Sequence, residues 1–579
     1  MGLIDDWSYV RTAYDFARTG HFVYNGWATA MLGWQIVWSA PFLKLFGYSF
    51  TVARLSMLPF AIASAWIFHA ILLRCGISNR NAVFGTLTFC LSPVFIPLAG
   101  SYMTDVGGIL IILLCIYLCQ RALGAKSDRA AVIWLCVASL TNIVGGTERQ
   151  IAWLGALVLV PSAAWLLRKR RSVIAAAVIL WLSSVVLIFV SVHWFDHQPY
   201  AVPEKLLYAP PDDPSASMAV LLLQKLQNNF FYLKMLAFVL TLLKTVLCLL
   251  LLLFPVLIAW LVRARELARS ARARLAGVAV LLGILAWILS AQNRLEDWVM
   301  PWLYHVLDSE AIAPKSWDML GNRAVELPMS VRLVMSIIVI ASALAFAEWF
   351  FASRQRALVQ ASGDTPARGW KTLAILFTPY CAAYLLLLLP RGFRSYLFDR
   401  YLLGVMPIVI ICLLKLYQER IRESLPAVSY ITLAAFALYG IFTTHDLFSL
   451  NRARVAAVKE VRNAGVPKNA VQAGFEYDGW TEIDEVHYIN EPKIFPAHAF
   501  HPNPPDPRRP LDCRLGFDKY TPALHPHYIV VLSPMWCLQQ SSFTPVTYEA
   551  WMPPFTRQVY VQKVPDSLQD LASSSHQGQ

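Results

Sequence analysis

The chain has 579 residues, of which 57% are hydrophobic and only 15% charged, with a formal net charge of +13. A soluble chain of this length carries about 25% charged residues and divides into several domains, so the composition excludes an ordinary soluble protein. The basic excess lies in short clusters between apolar runs rather than on one face, which excludes nucleic-acid binding and is the charge pattern of a polytopic membrane protein.

In chain order, Asp5 and Asp6 stand just before a predicted amphipathic helix over residues 8–19. There Tyr9, Val10, Ala13, Tyr14, Phe16 and Ala17 recur at helical spacing, and Arg11, Thr12, Asp15 and Arg18 take the other face. Gly20 reads as its C-terminal cap. Residues 28–46 are apolar but short and interrupted by Pro41. With Trp27, Trp34 and Trp38 they read as a second helix lying at the membrane interface, where aromatic rings settle. A membrane-crossing helix preceding residue 1 in a longer chain is expected.

Apolar segments then recur near 51–73, 81–98, 106–123, 131–147, 150–167, 173–193, 233–262, 275–291, 331–351, 371–389, 402–416 and 425–443. Segments of about 18 or more such residues cross a hydrocarbon core of roughly 30 Å. Loops 74–80, 121–129, 168–171, 263–274, 354–371 and 415–422 are rich in Lys and Arg, and they fall at every second connection. The excess of cations marks these as cytoplasmic. Residues 1–50, 100–105, the turn at Glu148–Arg149, 194–232, 292–330, 390–401 and 444–579 then lie outside the cytoplasm.

The tail 444–579 is polar and proline-rich around 496–510, with a helix expected over 452–463 and strands over 528–532 and 558–563. Eight of the ten cysteines sit in or beside apolar runs, where cysteine behaves as a small hydrophobe. Cys513 and Cys537 alone lie in the polar tail, where an oxidising compartment would let them pair. The expected fold is an all-α polytopic membrane bundle of about twelve transmembrane helices. Outer interfacial helices occupy 1–50, the core 51–443, and a small mixed α/β extracytoplasmic domain 444–579.

Charge is scarce inside the spans, Lys244 being the main exception, and the acids Asp5, Asp6, Asp105, Glu148 and Asp399 gather at outer helix ends and loops. Such a ring of carboxylates at the outer surface is reachable from water and from lipid. Asp5, Asp6 and Asp105 also fit helix N-capping, and Arg149, Arg391, Arg394 and Arg400 also fit interfacial arginines that snorkel to headgroups. Tyr477–Trp480 and Glu482–Glu485 read as a surface loop, with contact to a glycan as the alternative. No histidine group has metal-ligand spacing. A rival functional class is a transporter or lipid flippase, which would line a path through the bilayer with polar residues.

Several stretches resemble the GT-C superfamily of polytopic membrane glycosyltransferases, which includes bacterial protein O-mannosyltransferases and lipid A aminoarabinose transferases. They are Ile4–Asp5–Asp6–Trp7–Ser8–Tyr9 with Ala17–Arg18–Thr19–Gly20, then Phe42–Leu43–Lys44–Leu45–Phe46–Gly47 and Ala53–Arg54–Leu55. Met103–Thr104–Asp105, Thr147–Glu148–Arg149–Gln150 and Phe398–Asp399–Arg400–Tyr401–Leu402–Leu403 are similar to further family motifs. The likeness covers roughly 1–170 and 390–480, and the middle matches only in hydropathy. The family usually has Glu where this chain has Asp6, bulkier residues where it has Gly107–Gly108, and a proline-rich turn where it has 28–31. Counting one lost N-terminal helix gives thirteen, a family number.

The resemblance implies an inverting glycosyltransferase moving a hexosyl or pentosyl group from a polyprenyl-phosphate donor to an envelope lipid, glycan or protein. The site would face the periplasm from a bacterial inner membrane. Asp5 would be the base, Asp6 its neighbour or orienter, and Asp105 a group that positions the acceptor or helps hold a divalent ion. Arg149, Arg391, Arg394 and Arg400 would bind the donor phosphate, with Lys44 and Arg54 as weaker candidates. Metal dependence stays open at this point.

Overall fold

The computed structural model describes residues 2–27, 30–203, 231–267, 269–291, 295–308, 319–323, 327–357, 369–392, 397–507 and 509–566. Every one of the twelve predicted apolar segments falls on helix. Among the described residues, eight helices are long and apolar enough to cross a membrane. The chain is a polytopic membrane protein with an all-helical bundle and a small C-terminal sheet.

The four remaining segments are helical too, but shorter, broken or more polar. Residues 81–98 divide into Asn79–Cys90 and Phe95–Ala99, at a turn that holds Pro93, because proline lacks the N–H that a continuous helix needs. Gln150–Leu166 and Met406–Arg420 fall short of a full crossing, and Arg269–Ala291 opens with three arginines. The segment 233–262 also breaks, at Leu253 between Phe231–Leu252 and Phe254–Val262, where Pro255 opens the second helix.

Thr104–Leu123 is the centre of the bundle. Some 78% of its apolar window is buried inside the protein, against 17% for Arg171–Asp196, whose surface is left to lipid. Small residues let neighbours approach it: a Cβ on Gly145 would meet Ile111 Cγ1 at 2.4 Å.

Four of the basic loops predicted to share one side, 74–80, 121–129, 168–171 and 415–422, touch one another, and most of 354–371 lies outside the described residues. Arg74 Nη2 donates to the Gln120 carbonyl (2.9 Å), Arg170 Nη1 to that of Ala125 (3.0 Å), and Gln418 Nε2 to that of Gly76 (3.1 Å). All the acids named above, and the C-terminal sheet, are tied to the opposite end.

The first helix runs Asp6–Thr19, and its amide-terminating Gly20 adopts φ 76° and donates to the Phe16 carbonyl at 2.8 Å. The second runs Gly33–Phe46, too short at 14 residues to cross a bilayer. One reading changes. The last span and the helix expected over 452–463 are one continuous helix, Ala427–Asn463, which leaves the bundle and enters the tail without a break.

That helix carries the sheet. β1 (Val471–Gln472) pairs in parallel with β2 (Tyr528–Val531), which pairs antiparallel with β5 (Thr556–Lys563). β3 (Gln539–Gln540) and β4 (Val546–Glu549) also pair with β5. Val530, Val559 and Val561 pack on Leu450, Ala453, Ala457 and Val461 of the helix. Cys513 and Cys537 form a disulfide.

A second seam joins tail to N-terminus. Trp7, Trp27, Phe475, Phe517 and Tyr520 form an aromatic cluster with ring centroids about 5–6 Å apart. Trp480 packs on Tyr14 and Phe50 and lies under Arg11. Asp484 pairs with Arg11 and Lys468. The tail residues read as a surface loop thus form a helix, Phe475–Val486, whose side chains bind the first helix.

Candidate active site

Asp5 is presented by a strained turn. Ile4 has φ 57°, a region that β-branched residues avoid, at a cost of about 1–3 kcal/mol. The turn is held because the Asp6 carboxylate accepts the Leu3 N–H and the Tyr102 N–H (3.2 Å), and because Arg54 donates to both Asp6 oxygens (2.9 and 3.3 Å). Asp6 is fully buried. Its acceptor capacity is spent on fixing the first helix against Arg54 and the start of the central helix.

Asp5 points the other way. Its Oδ1 accepts the Trp27 indole N–H at 2.9 Å, and its Oδ2 lies 3.5 Å from Arg400 Nη2. Arg400 Nη1 is 3.6 Å from Asp105 Oδ2, and the other Asp105 oxygen pairs with Arg149 Nη1 at 3.0 Å. The chain Asp5–Arg400–Asp105–Arg149 therefore joins four sequence regions into one alternating row of charges. Arg149 also donates to Thr104 Oγ1 at 3.1 Å. Asp105, in the first turn of the central helix, suits the positive end of the helix dipole.

Arg391 completes the row. It donates to the Tyr401 hydroxyl and lies over that ring, as do Arg149 and Arg400. Arg400 is set by its neighbour: buried Asp399 accepts the backbone N–H groups of Val306 (3.1 Å), Leu307 and Arg400 (2.6 Å). Burial raises the Asp399 carboxyl to about 6, although those three N–H groups pull it down. Arg394 lies outside the described residues. Lys44 is in the last turn of the second helix, and Arg54 is committed to Asp6.

Arg149, Arg391 and Arg400 line a cavity of about 320 Å3 with Tyr9, Thr104, Tyr384 and Tyr401. Ile151, Trp153, Leu154, Leu157, Leu387 and Leu388 line it too. Cations and apolar side chains share one cavity, which is the chemistry of an anionic head on an apolar tail.

Four features were not given roles in the sequence. Tyr9 lies one helical turn after Asp5, a spacing that puts both on one face. Burial, and then the Asp5 charge, push its phenol well above the ordinary range, so it stays a neutral donor. Trp27, read as an interfacial aromatic, instead holds Asp5 and packs in the aromatic seam. Tyr401 is the shared platform for three arginines.

Glu148 is the fourth. It is fully buried, and among the described residues neither carboxylate oxygen has a hydrogen-bond partner. Burial raises its pKa well above the ordinary carboxyl value, against the pull of Arg149. The Gly107–Gly108 pair explains how it fits. A Cβ on Gly107 would lie 1.9 Å from Glu148 Oε1, and one on Gly108 would lie 3.0 Å from Arg149 Cδ. The two glycines are the notch into which Glu148 and Arg149 descend.

A divalent ion does not fit this arrangement. Among the described residues no group of three His, Cys, Asp or Glu side chains could hold a metal, and the Arg400 guanidinium occupies the space between Asp5 and Asp105. Lys244, the charge within a span, lies 5.9 Å over the Trp298 ring.

No family model matches the chain, and no curated protein does so closely. Among solved structures it is similar to ArnT from Cupriavidus metallidurans in the apo state, at 15% identity and TM-score 0.28, over 72% of this chain and 73% of that one. It is similar to the same protein bound to undecaprenyl phosphate, at 16% and 0.30, over 72% and 74%. It is also similar to the archaeal oligosaccharyltransferase AglB from Archaeoglobus fulgidus, in complex with an inhibitory peptide and a dolichol-phosphate, at 14% and 0.34, over 77% and 51%.

Proposed function

We propose that the chain is an inverting glycosyltransferase that takes its sugar from a polyprenyl-phosphate carrier at the outer face of a bacterial inner membrane. The observation that carries this reading is the cavity lined by Arg149, Arg391 and Arg400 together with Leu154, Leu157, Leu387 and Leu388, with Asp5 paired to Arg400. The arginines take the phosphate, for which planar guanidinium groups are well shaped, and the prenyl chain lies against Leu157, Leu387 and Leu388.

The chemistry needs few groups. An acceptor hydroxyl attacks the anomeric carbon, and its proton passes to the Asp5 carboxylate. The bond from that carbon to the phosphate oxygen breaks, and the polyprenyl phosphate leaves with the electron pair, its charge met by the arginines. A single displacement inverts the anomeric centre. The phosphate is a good leaving group, so no strong acid is required, and a positioned base contributes about 10²–10⁴-fold. Trp27 and Arg400 fix the direction in which the carboxylate points, and Asp105 keeps Arg149 and Arg400 in place.

The test is Asp5→Asn in the full chain, reconstituted and supplied with envelope acceptors and polyprenyl-phosphate sugars. Transfer should fall by about 10²-fold or more while the melting temperature stays unchanged. Full activity in that variant removes the assignment. Mass spectrometry of envelope glycans from a deletion strain would identify sugar and acceptor. Net movement of unmodified substrate across reconstituted vesicles, with no covalent change, would show the rival transporter.

A further inference from the structure

The β4–β5 turn carries five uncharged residues in succession, Trp551–Met552–Pro553–Pro554–Phe555, with Trp551 48% and Phe555 63% exposed. Exposed aromatics at the tip of a polar domain need an explanation, and the position of the tip supplies one. β4 descends along the helix Ala427–Asn463 toward the bundle. The Trp551 ring stacks on His445 at 3.9 Å between centroids and meets Phe442 edge-on at 5.4 Å.

That level is where the helix leaves the bilayer. Below it the helix exposes Ile431, Leu438 and Ile441 to lipid, and Thr443, Thr444, His445 and Asp446 are the first polar run above. The tip is also held rigidly. Asp446, fully buried, accepts the N–H groups of Trp551 (2.7 Å) and Met552 (2.9 Å) and lies 3.5 Å from Arg557. Arg557 in turn donates to the carbonyls of Met552, Pro553 and Pro554 at 3.0–3.3 Å.

We infer that the tip 551–555 is a membrane anchor, seated in the headgroup region of the leaflet at the site end of the bundle. The occupant is lipid because the exposed apolar strip of the helix runs without a break into the tip, and because tryptophan favours that interface. The anchor sets the height of the C-terminal domain over the bundle. The same domain supplies Phe517 and Tyr520 to Trp27, which holds Asp5. The inference does not depend on the proposed reaction.

The test places a bimane label on Phe555→Cys in the full chain, with the eight free cysteines replaced and Cys513–Cys537 kept, in phosphatidylethanolamine–phosphatidylglycerol nanodiscs. Glu460→Cys is the aqueous control, exposed on the same helix 18 residues beyond Phe442, or about 27 Å at 1.5 Å per residue. Headgroup-level doxyl lipids should quench the label at 555, and iodide should reach it several-fold less than at 460. Equal iodide quenching at the two positions overturns the inference, and so does protection of 555 from both quenchers, which would mark a protein partner. If the labelled variant misfolds, brominated lipids offer a second measurement. They should quench wild-type tryptophan emission more than that of Trp551→Phe, and an equal loss counts against the anchor.

Discussion

Replacing Gly107 with alanine should disable the site without altering any charged residue. The new Cβ would lie 1.9 Å from Glu148 Oε1 and 2.4 Å from its Cδ, against an ordinary carbon–oxygen contact of about 3.4 Å. The carboxyl must therefore move by roughly 1.5 Å, and it is wholly buried. Overpacking of this kind costs about 1–3 kcal/mol. The larger effect is on the next residue, because Arg149 must keep its 3.0 Å pairing with Asp105. A displacement of about 1 Å at a positioned group lowers a rate by roughly 10²-fold. The assay is undecaprenyl-phosphate affinity and melting temperature of the detergent-solubilised chain, followed by transfer activity. Gly283→Ala is the control, since nothing lies within 4 Å of its Cβ position. Adding Glu148→Ala to Gly107→Ala should recover much of the loss by vacating the notch. The reasoning is refuted if Gly107→Ala behaves like Gly283→Ala, or if the double variant is no better than the single one.

Four further outcomes follow from the geometry. Arg391→Gln should weaken undecaprenyl-phosphate binding by about 10-fold or more, the worth of one charge-assisted hydrogen bond at 1.5–3 kcal/mol, as read by titration in nanodiscs. Asp6→Ala leaves Arg54 mostly buried without its carboxylate and should cost about 3–5 kcal/mol, seen as a marked drop in melting temperature; the double change Asp6→Ala with Arg54→Leu should recover part of it. Trp27→Phe keeps the aromatic packing but removes the 2.9 Å bond to Asp5, so transfer should fall roughly tenfold with little change in melting temperature. For Glu148, the folded pKa stands above the unfolded value, so its contribution to stability is complete below about pH 4.5 and is lost as pH rises through the folded pKa. Glu148→Gln should abolish that slope in pH-dependent melting curves and remove a protonated-carboxyl band from the infrared difference spectrum.

Much of the architecture was legible because a membrane imposes coarse rules. Each apolar segment became a helix because no backbone group can remain unpaired in hydrocarbon. Four of the basic loops that alternate in sequence do meet. The strands expected over 528–532 and 558–563 are present as Tyr528–Val531 and Thr556–Lys563, the second burying Val559 and Val561 against the long helix and leaving Gln558 outside. The break at Leu253 was visible in Pro255 but was outweighed by the length of the apolar run. The unbroken passage of Ala427–Asn463 from bundle to tail was missed because polarity changes at Thr443 while helix propensity does not.

The sequence by itself determined that this chain lives in a bilayer and where its helices run, and it marked Asp5, Asp105 and the outer arginines as candidates for chemistry there. Hydropathy and charge are local properties, and they suffice for that. Only the tertiary structure turned Asp5 toward Arg400 and made Asp6 a buried clamp on Arg54. It also gave Glu148 its notch and Trp27 its bond, because both depend on contacts across 22 to more than 40 residues of chain. Distances of that kind are set by packing between elements, and no residue pattern along the chain encodes them.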